Sequence, residues 1–279
     1  MSTHTTGTIP ADMEAHVAKP TEEILLERDG AIATITFNRP HARNALTWNM
    51  YDRLVEFCDE GDRSPDLRVV ILRGAGEAAF VAGTDISQFQ TFQRPQDAIA
   101  YEQRIEHVLD RLERVHQPSI AMLRGYCVGG GLSIAAACDF RYAAPDLRLG
   151  VPIARTLGNC LSMSNYARVV DLVGPARAKE LIMQARMLTA EQALALGLVN
   201  EVVPADRLAG HVHDVAAALT QLAPLTLRAT KEAIRRIQAR RRIEPREGED
   251  LIVSCYMSED FREAVRAFLD KRAYSWTGR

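Results

Sequence analysis

The chain has no apolar run approaching the ~18 residues needed to cross a bilayer, so no membrane-spanning helix is expected. Nor is there an excess of charge. The 34 Lys and Arg residues nearly balance 36 Asp and Glu, leaving a net charge of −2, which removes any global electrostatic case for a nucleic acid or a membrane surface as partner. Cysteine is sparse. Cys58, Cys127, Cys138, Cys160 and Cys255 are scattered and odd in number, and no CxxC pair or Cys/His cluster has zinc spacing. Reduced thiols in a cytoplasmic protein are therefore expected, with neither a disulfide framework nor a metal site. No Gly-Lys-Ser/Thr follows the glycine cluster described below, so a phosphate-binding P-loop is excluded. Residues 1–20 lack both a basic and an apolar leader region and are expected to form a mobile N-terminal tail.

What is present is the composition of an ordinary globular protein. Hydrophobic residues make up 47% and charged residues 25% of 279 positions, enough for one large domain or two modest ones. The most informative stretch is Ser119 to Asp139, SIAMLRGYCVGGGLSIAAACD. An apolar run after Pro118 suggests a buried strand, and the segment from Leu132 to Cys138 suggests a tightly packed helix. Between them stand Gly129, Gly130 and Gly131. Glycines at a strand-to-helix turn let the backbone approach a ligand closely. The helix N-terminus beyond them leaves amide N–H groups free to hold negative charge. Such a turn can stabilise an oxyanion without a charged side chain, although close helix–sheet packing would account for the glycines equally well.

Elsewhere the pattern alternates strands and helices. Glu23–Arg28 and Ala31–Phe37 flank Asp29-Gly30, a hairpin signal, and a polar loop over 38–46 contains Pro40. A helix is expected from Trp48 to Gly61, a buried strand over Leu67–Leu72, and a short strand and glycine turn over 79–89, with Asp85 as a helix cap. Tyr101, Ile105, Val108, Leu112 and Val115 share one face of a helix over Asp97–Val115. Asp139–Ala144 reads as a strand. Three short helices follow over 162–173, 175–186 and 189–196, then a brief strand after Gly197, and helices over 205–272 with a break at Pro245. Short strands first and helices last indicate a layered α/β core with a helical C-terminal lobe.

Four stretches in this order, NRPHARNAL, FVAGTDI, QPSIAMLRGYCVGGGLSIAAACDFRYA and SEDFREAVRAFLDKR, make the chain resemble the crotonase, or enoyl-CoA hydratase/isomerase, superfamily from about Glu23 onward. The resemblance implies a spiral of ββα units over 21–204 and a helical region over 205–279 that builds trimers, often paired into hexamers. It implies an acyl-CoA thioester as substrate, with no cofactor beyond that coenzyme A. By motif match, the backbone amides of Thr84 and Gly130 would hold the thioester carbonyl. The loops around Ala42, Arg43, Ala82, Gly83, Asp85 and Ile86 would line the coenzyme channel, with Arg43 available to a phosphate.

Hydratases of that superfamily carry two glutamates, and the matching positions here are Ser133 and Ile153. Serine has no useful basicity near neutral pH without a neighbouring base, and isoleucine cannot transfer a proton. No carboxylate lies between Asp146 and Asp171 to substitute locally. Three readings follow: enolate or isomerase-like chemistry with another acid/base set, acyl-CoA binding without turnover, or hydration using an acid from elsewhere in the chain. Arg155, Asn159, Cys160, Ser162 and Asn165 follow the lost glutamate, and Cys160 is the candidate nucleophile, with a small buried thiol as the simpler role. Glu102 and His107 could reach the acyl chain, although a solvated helical face is expected for both. Tyr126 and Tyr166 are candidate hydroxyl donors or core residues. The basic run Arg235–Arg246 raises RNA binding as an alternative of another class, against which stand the overall charge and the lack of interleaved aromatics.

Overall fold

The computed structural model describes residues 22–279; the tail expected over 1–20 lies outside the described residues. Strands β1 (Ile24–Asp29) and β2 (Ile32–Phe37) form the expected antiparallel hairpin, with Gly30 at φ 56° in its turn. Helix α1 (Trp48–Arg63) is capped by Thr47, whose hydroxyl accepts from the Met50 amide. After β3 (Val69–Gly74) and β4 (Ala79–Val81), a 3-10 turn over Ile86–Thr91 starts at Asp85, whose side chain accepts from the Ser87 amide, as a helix cap should. Helix α2 (Pro95–Glu113) begins with proline, which suits a first turn where no N–H is needed.

The glycine-rich stretch becomes β5 (Ser119–Leu123), β6 (Tyr126–Val128) and α3 (Gly130–Ala137). It continues through β7 (Phe140–Ala143), β8 (Arg148–Gly150) and the short α4 (Ile153–Thr156). Helix α5 (Met163–Met183) covers the first two of the three short helices expected, and it is broken at Gly174, φ 73°. Residues 187–189 form strand β9 (Met187–Thr189), followed by α6 (Ala190–Ala195) and β10 (Glu201–Val202). The C-terminal part holds α7 (Leu208–Thr220), α8 (Pro224–Ala239), α9 (Glu249–Tyr256) and α10 (Glu259–Leu269), with a 3-10 turn at Pro245–Gly248. Strands β8 and β9 escape periodicity because three residues are too few to display it.

The strands form two sheets, one ordered β1-β2-β3-β5-β7-β10 and a smaller one ordered β4-β6-β8-β9. Beyond the hairpin the larger sheet is parallel, and both of its faces are covered. Val70 and Leu72 enter the main core, while Val69 and Ile71 point the other way into a second cluster with Leu208 and Val212 of α7. Two-sided burial explains why β3 reads as a continuous VVIL run instead of an alternation. Among the C-terminal helices, α7 lies on the larger sheet, α9 contacts α2, and α10 contacts the 3-10 turn at Ile86–Thr91. Phe89 there meets the rings of Tyr256 at 6.2 Å and Phe261 at 5.8 Å. No helix among the described residues is long and apolar enough to cross a membrane.

Candidate active site

Strands β4, β6 and β8 run parallel, so their C-terminal ends lie on one side of the small sheet. The chain leaving them at Ala82–Thr84, Gly129–Gly130 and Pro152–Ile153 meets around one cavity of about 170 Å³. Short parallel strands therefore deliver three loops to one place, although they lie far apart in the chain.

Two of these loops present backbone amides. The Leu46 N–H donates to Gly83 O at 2.9 Å, and the Asp85 N–H donates to Leu46 O at 2.9 Å. Because alternate residues of a paired strand aim their polar groups in opposite directions, the N–H of Thr84 between them points away from Leu46. Gly130 opens α3, where an amide has no intrahelical acceptor. Among the described residues neither the Thr84 nor the Gly130 amide has a backbone partner. Gly129 takes φ 53°, the left-handed conformation that turns the strand into the helix. A Cβ on Gly131 would lie 2.1 Å from Val81 O, so only glycine lets α3 approach β4 this closely. Of the two explanations open from sequence, close packing accounts for Gly131.

The Thr84 side chain is fixed by two phenols: its hydroxyl bonds Tyr51 at 2.8 Å and Tyr101 at 3.0 Å. Burial pushes both phenol pKa values up, so both are neutral hydroxyls here. The polar loop over 38–46 is ordered by Asn44, which accepts from the Arg39 amide and donates to Ala75 O and Ala79 O. Besides the Leu46 bonds, it is linked to the cavity by the Ala82 N–H donating to Arg43 O at 3.1 Å. Ala82, Gly83 and Ile86 line the cavity. Ala42 and Arg43 are not part of its lining, and the exposed Arg43 guanidinium stands 5.0 Å from the ring centroid of Tyr126. Asp85 instead caps its turn and pairs with Arg39 at 3.0 Å.

Ser133 and Ile153 both line the cavity and both are buried. Among the described residues the serine hydroxyl makes a single polar contact, a long one, donating to Gly129 O at 3.4 Å. Cys160, the nucleophile candidate, is buried beside Cys255 and is not part of the lining. The neighbouring Cys255 thiol and burial push its pKa far up, the reverse of what a nucleophilic thiolate needs. Arg155 is exposed, whereas Asn159 and Asn165 line the cavity. Tyr126 is exposed, and Tyr166 is half-buried against the main core.

The cavity's carboxyl comes from a place the sequence expectation assigned to solvent. Glu102 on α2 is only 4% exposed, and it faces the same cavity as Thr84 and Gly130. Its Oε1 accepts from the Tyr256 hydroxyl at 2.6 Å and its Oε2 from the Ser162 amide at 3.0 Å. Burial, reinforced by nearby Glu106, outweighs these bonds and pushes its pKa up to about 7. The expected solvated face fails because α9 covers it. A signal did exist: Glu102 stands four residues after Ala98 and three before Ile105, inside the apolar stripe that buries α2. His107, by contrast, is exposed. In the basic run at 235–246, Arg240, Arg241 and Arg246 are exposed, whereas the other three arginines are engaged. Arg235 and Arg236 pair with Glu232, and Arg242 pairs with Glu113 at 2.7 Å.

The sequence model of the enoyl-CoA hydratase/isomerase family matches residues 27–279. The chain is 34% identical to the short-chain-enoyl-CoA hydratase of Clostridium acetobutylicum over 257 residues, 89% of this chain and 95% of that one. It is 31% identical to the crotonyl-CoA hydratase of Syntrophomonas wolfei, covering 90% and 96%. Among solved structures, an enoyl-CoA hydratase/carnithine racemase from Magnetospirillum magneticum superposes with a TM-score of 0.76 at 35% identity, covering 92% and 96%. A methylmalonyl-CoA decarboxylase in complex with 2-nitronate-propionyl-CoA superposes with a TM-score of 0.84 at 26% identity, covering 92% and 99%. The chain belongs to the enoyl-CoA hydratase/isomerase, or crotonase, superfamily and has its α/β fold.

Proposed function

We propose that this acyl-CoA enzyme holds the thioester carbonyl between the amides of Thr84 and Gly130 and carries the resulting enolate through isomerase-like chemistry in preference to hydration. One observation carries the reading. Two unpartnered amides at the ends of neighbouring parallel strands open on a cavity whose Ser133 and Ile153 supply no acid. Donors aimed at a developing oxyanion lower the barrier to enolate formation, and losing one typically costs about 10²–10³ in rate. The hydratase names of the relatives favour hydration as the second reading, which would need both of its proton transfers from other groups. Binding without turnover is the third.

The coenzyme channel runs, in this proposal, past Ala42, Arg43, Ala82, Gly83, Asp85 and Ile86. The protein works in the cytoplasm with no cofactor beyond its substrate's coenzyme A. It assembles with copies of itself, as a trimer or a pair of trimers, through α8. That helix buries no residue within the protomer and exposes Leu225, Ile234 and Ile237, the kind of apolar face that marks an interaction site. Purified protein should convert a β,γ-unsaturated acyl-CoA to its conjugated isomer faster than it consumes crotonyl-CoA. Rapid loss of crotonyl-CoA absorbance, with no isomerisation, would make it a hydratase.

A further inference from the structure

We propose that Glu102 is the proton-transfer carboxyl of this site, taking a proton from the carbon next to the thioester and returning it two carbons further along the acyl chain. This rests on the acyl-CoA reading above. For a β,γ-unsaturated thioester the carboxylate removes a proton from the α-carbon, and the C–H electron pair moves into the carbonyl. The dienolate oxygen then accepts from the Thr84 and Gly130 amides. The protonated Glu102 gives the same proton to the γ-carbon as the double bond settles into conjugation. Nothing is oxidised or reduced, and no co-reactant enters.

Geometry singles out Glu102 from the other acids of its helix. Glu106 and Glu113 on α2 are both bound to Arg168, Glu106 at 3.1 Å and Glu113 at 2.9 Å, and Arg242 adds a second cation to Glu113. These are structural ion pairs. Glu102 is more deeply buried, yet among the described residues it has no cation partner; its two bonds come from a phenol and an amide. An ionised carboxylate has about four lone-pair sites, so half of its accepting capacity remains free in the cavity that holds the two amides. Nearby Asn159 donates to the Tyr256 hydroxyl at 3.2 Å while its own buried Oδ1 has no partner, which leaves a further polar contact for substrate beside the carboxyl. Glu102 also borders a second cavity of about 480 Å³, whose lining includes the exposed Gln103 and His107. Through that side the carboxyl can exchange its proton with solvent between turnovers.

The test compares wild type with Glu102→Gln and Glu102→Asp, using trans-3-hexenoyl-CoA for turnover and saturated hexanoyl-CoA for binding. Glutamine should fold, because its carbonyl can accept from the Ser162 amide while its NH₂ donates to the Tyr256 oxygen. General acid–base groups typically contribute about 10²–10⁴ in rate. We expect Glu102→Gln to lose isomerisation by that factor with hexanoyl-CoA affinity and melting temperature retained, and Glu102→Asp to recover part of it. Glu102→Gln within tenfold of an active wild type overturns the assignment and leaves the acyl-CoA reading intact. A wild type that binds hexanoyl-CoA but never isomerises also overturns it, leaving a binding protein. Failure of wild type to bind hexanoyl-CoA sinks the acyl-CoA reading itself and this assignment with it.

Discussion

The Tyr256 hydroxyl donates to Glu102 Oε1 at 2.6 Å across 154 positions of sequence. It ties the C-terminal helices to the carboxyl of the candidate active site. Its removal in Tyr256→Phe takes a donor from the charged form, so the Glu102 pKa should climb further above about 7. If Glu102 acts as the base, the ascending limb of the pH–rate profile moves to higher pH. The lost buried hydrogen bond should cost about 1–3 kcal/mol of stability. An unmoved limb with reduced stability would mean that the phenol serves packing alone.

Gly130→Pro and Gly130→Ala separate the amide from the space around it. Proline suits the first position of a helix but has no N–H, so turnover should fall by about 10²–10³. Alanine keeps the N–H, and its Cβ would sit 3.1 Å from the Tyr51 hydroxyl and 3.4 Å from Thr84 Oγ1, a contact that a small shift can relieve. Steady-state rates should therefore rank wild type, alanine, proline. Equal losses in both variants would point to crowding instead of a missing donor.

The raised pKa of Glu102 also predicts how stability depends on pH. The folded state holds a proton up to about pH 7, whereas the unfolded state releases it near the ordinary glutamate value of 4.5. The folded state binds more protons across that window, so this group makes stability fall as pH rises from about 4.5 to 7. At 1.36 kcal/mol per unit the full effect is on the order of 3 kcal/mol. Glu102→Gln removes it, so the variant's melting temperature should gain on wild type between about pH 4.5 and pH 7 and level off above. The other titratable groups facing Glu102 are Glu106 and Tyr101 on its own helix, Tyr256 and Cys255 on α9, Tyr166 on α5, Tyr51 on α1 and the Cys160 thiol. Running the comparison in a Cys255→Ser background excludes the thiol pair. A constant difference across the window would mean that Glu102 titrates as an ordinary carboxyl.

The exposed apolar row on α8 gives a prediction about assembly. Ile234→Glu with Ile237→Glu should yield a smaller species by light scattering, while the circular dichroism spectrum is retained, since no α8 residue is buried in the protomer. An unchanged mass would move the interface elsewhere on the molecule.

The local chain determined much of this protein by itself. The hairpin at Gly30, the cap at Asp85, the α2 stripe and the strand–GGG–helix passage are short-range events, set by turn chemistry and periodicity within a few residues. The turns that carry Thr84 and Gly130 were legible because their surrounding motifs are local too. Only the tertiary structure decided what α2 buries. An acid within an apolar stripe reads as solvated until α9, about 150 residues later in the chain, closes over it and places Tyr256 against it. Likewise, Cys160 reads as a candidate nucleophile until its neighbour Cys255 and the core around it hold the thiol protonated. Burial and long-range pairing set the pKa of a side chain, and neither is written in the residues beside it.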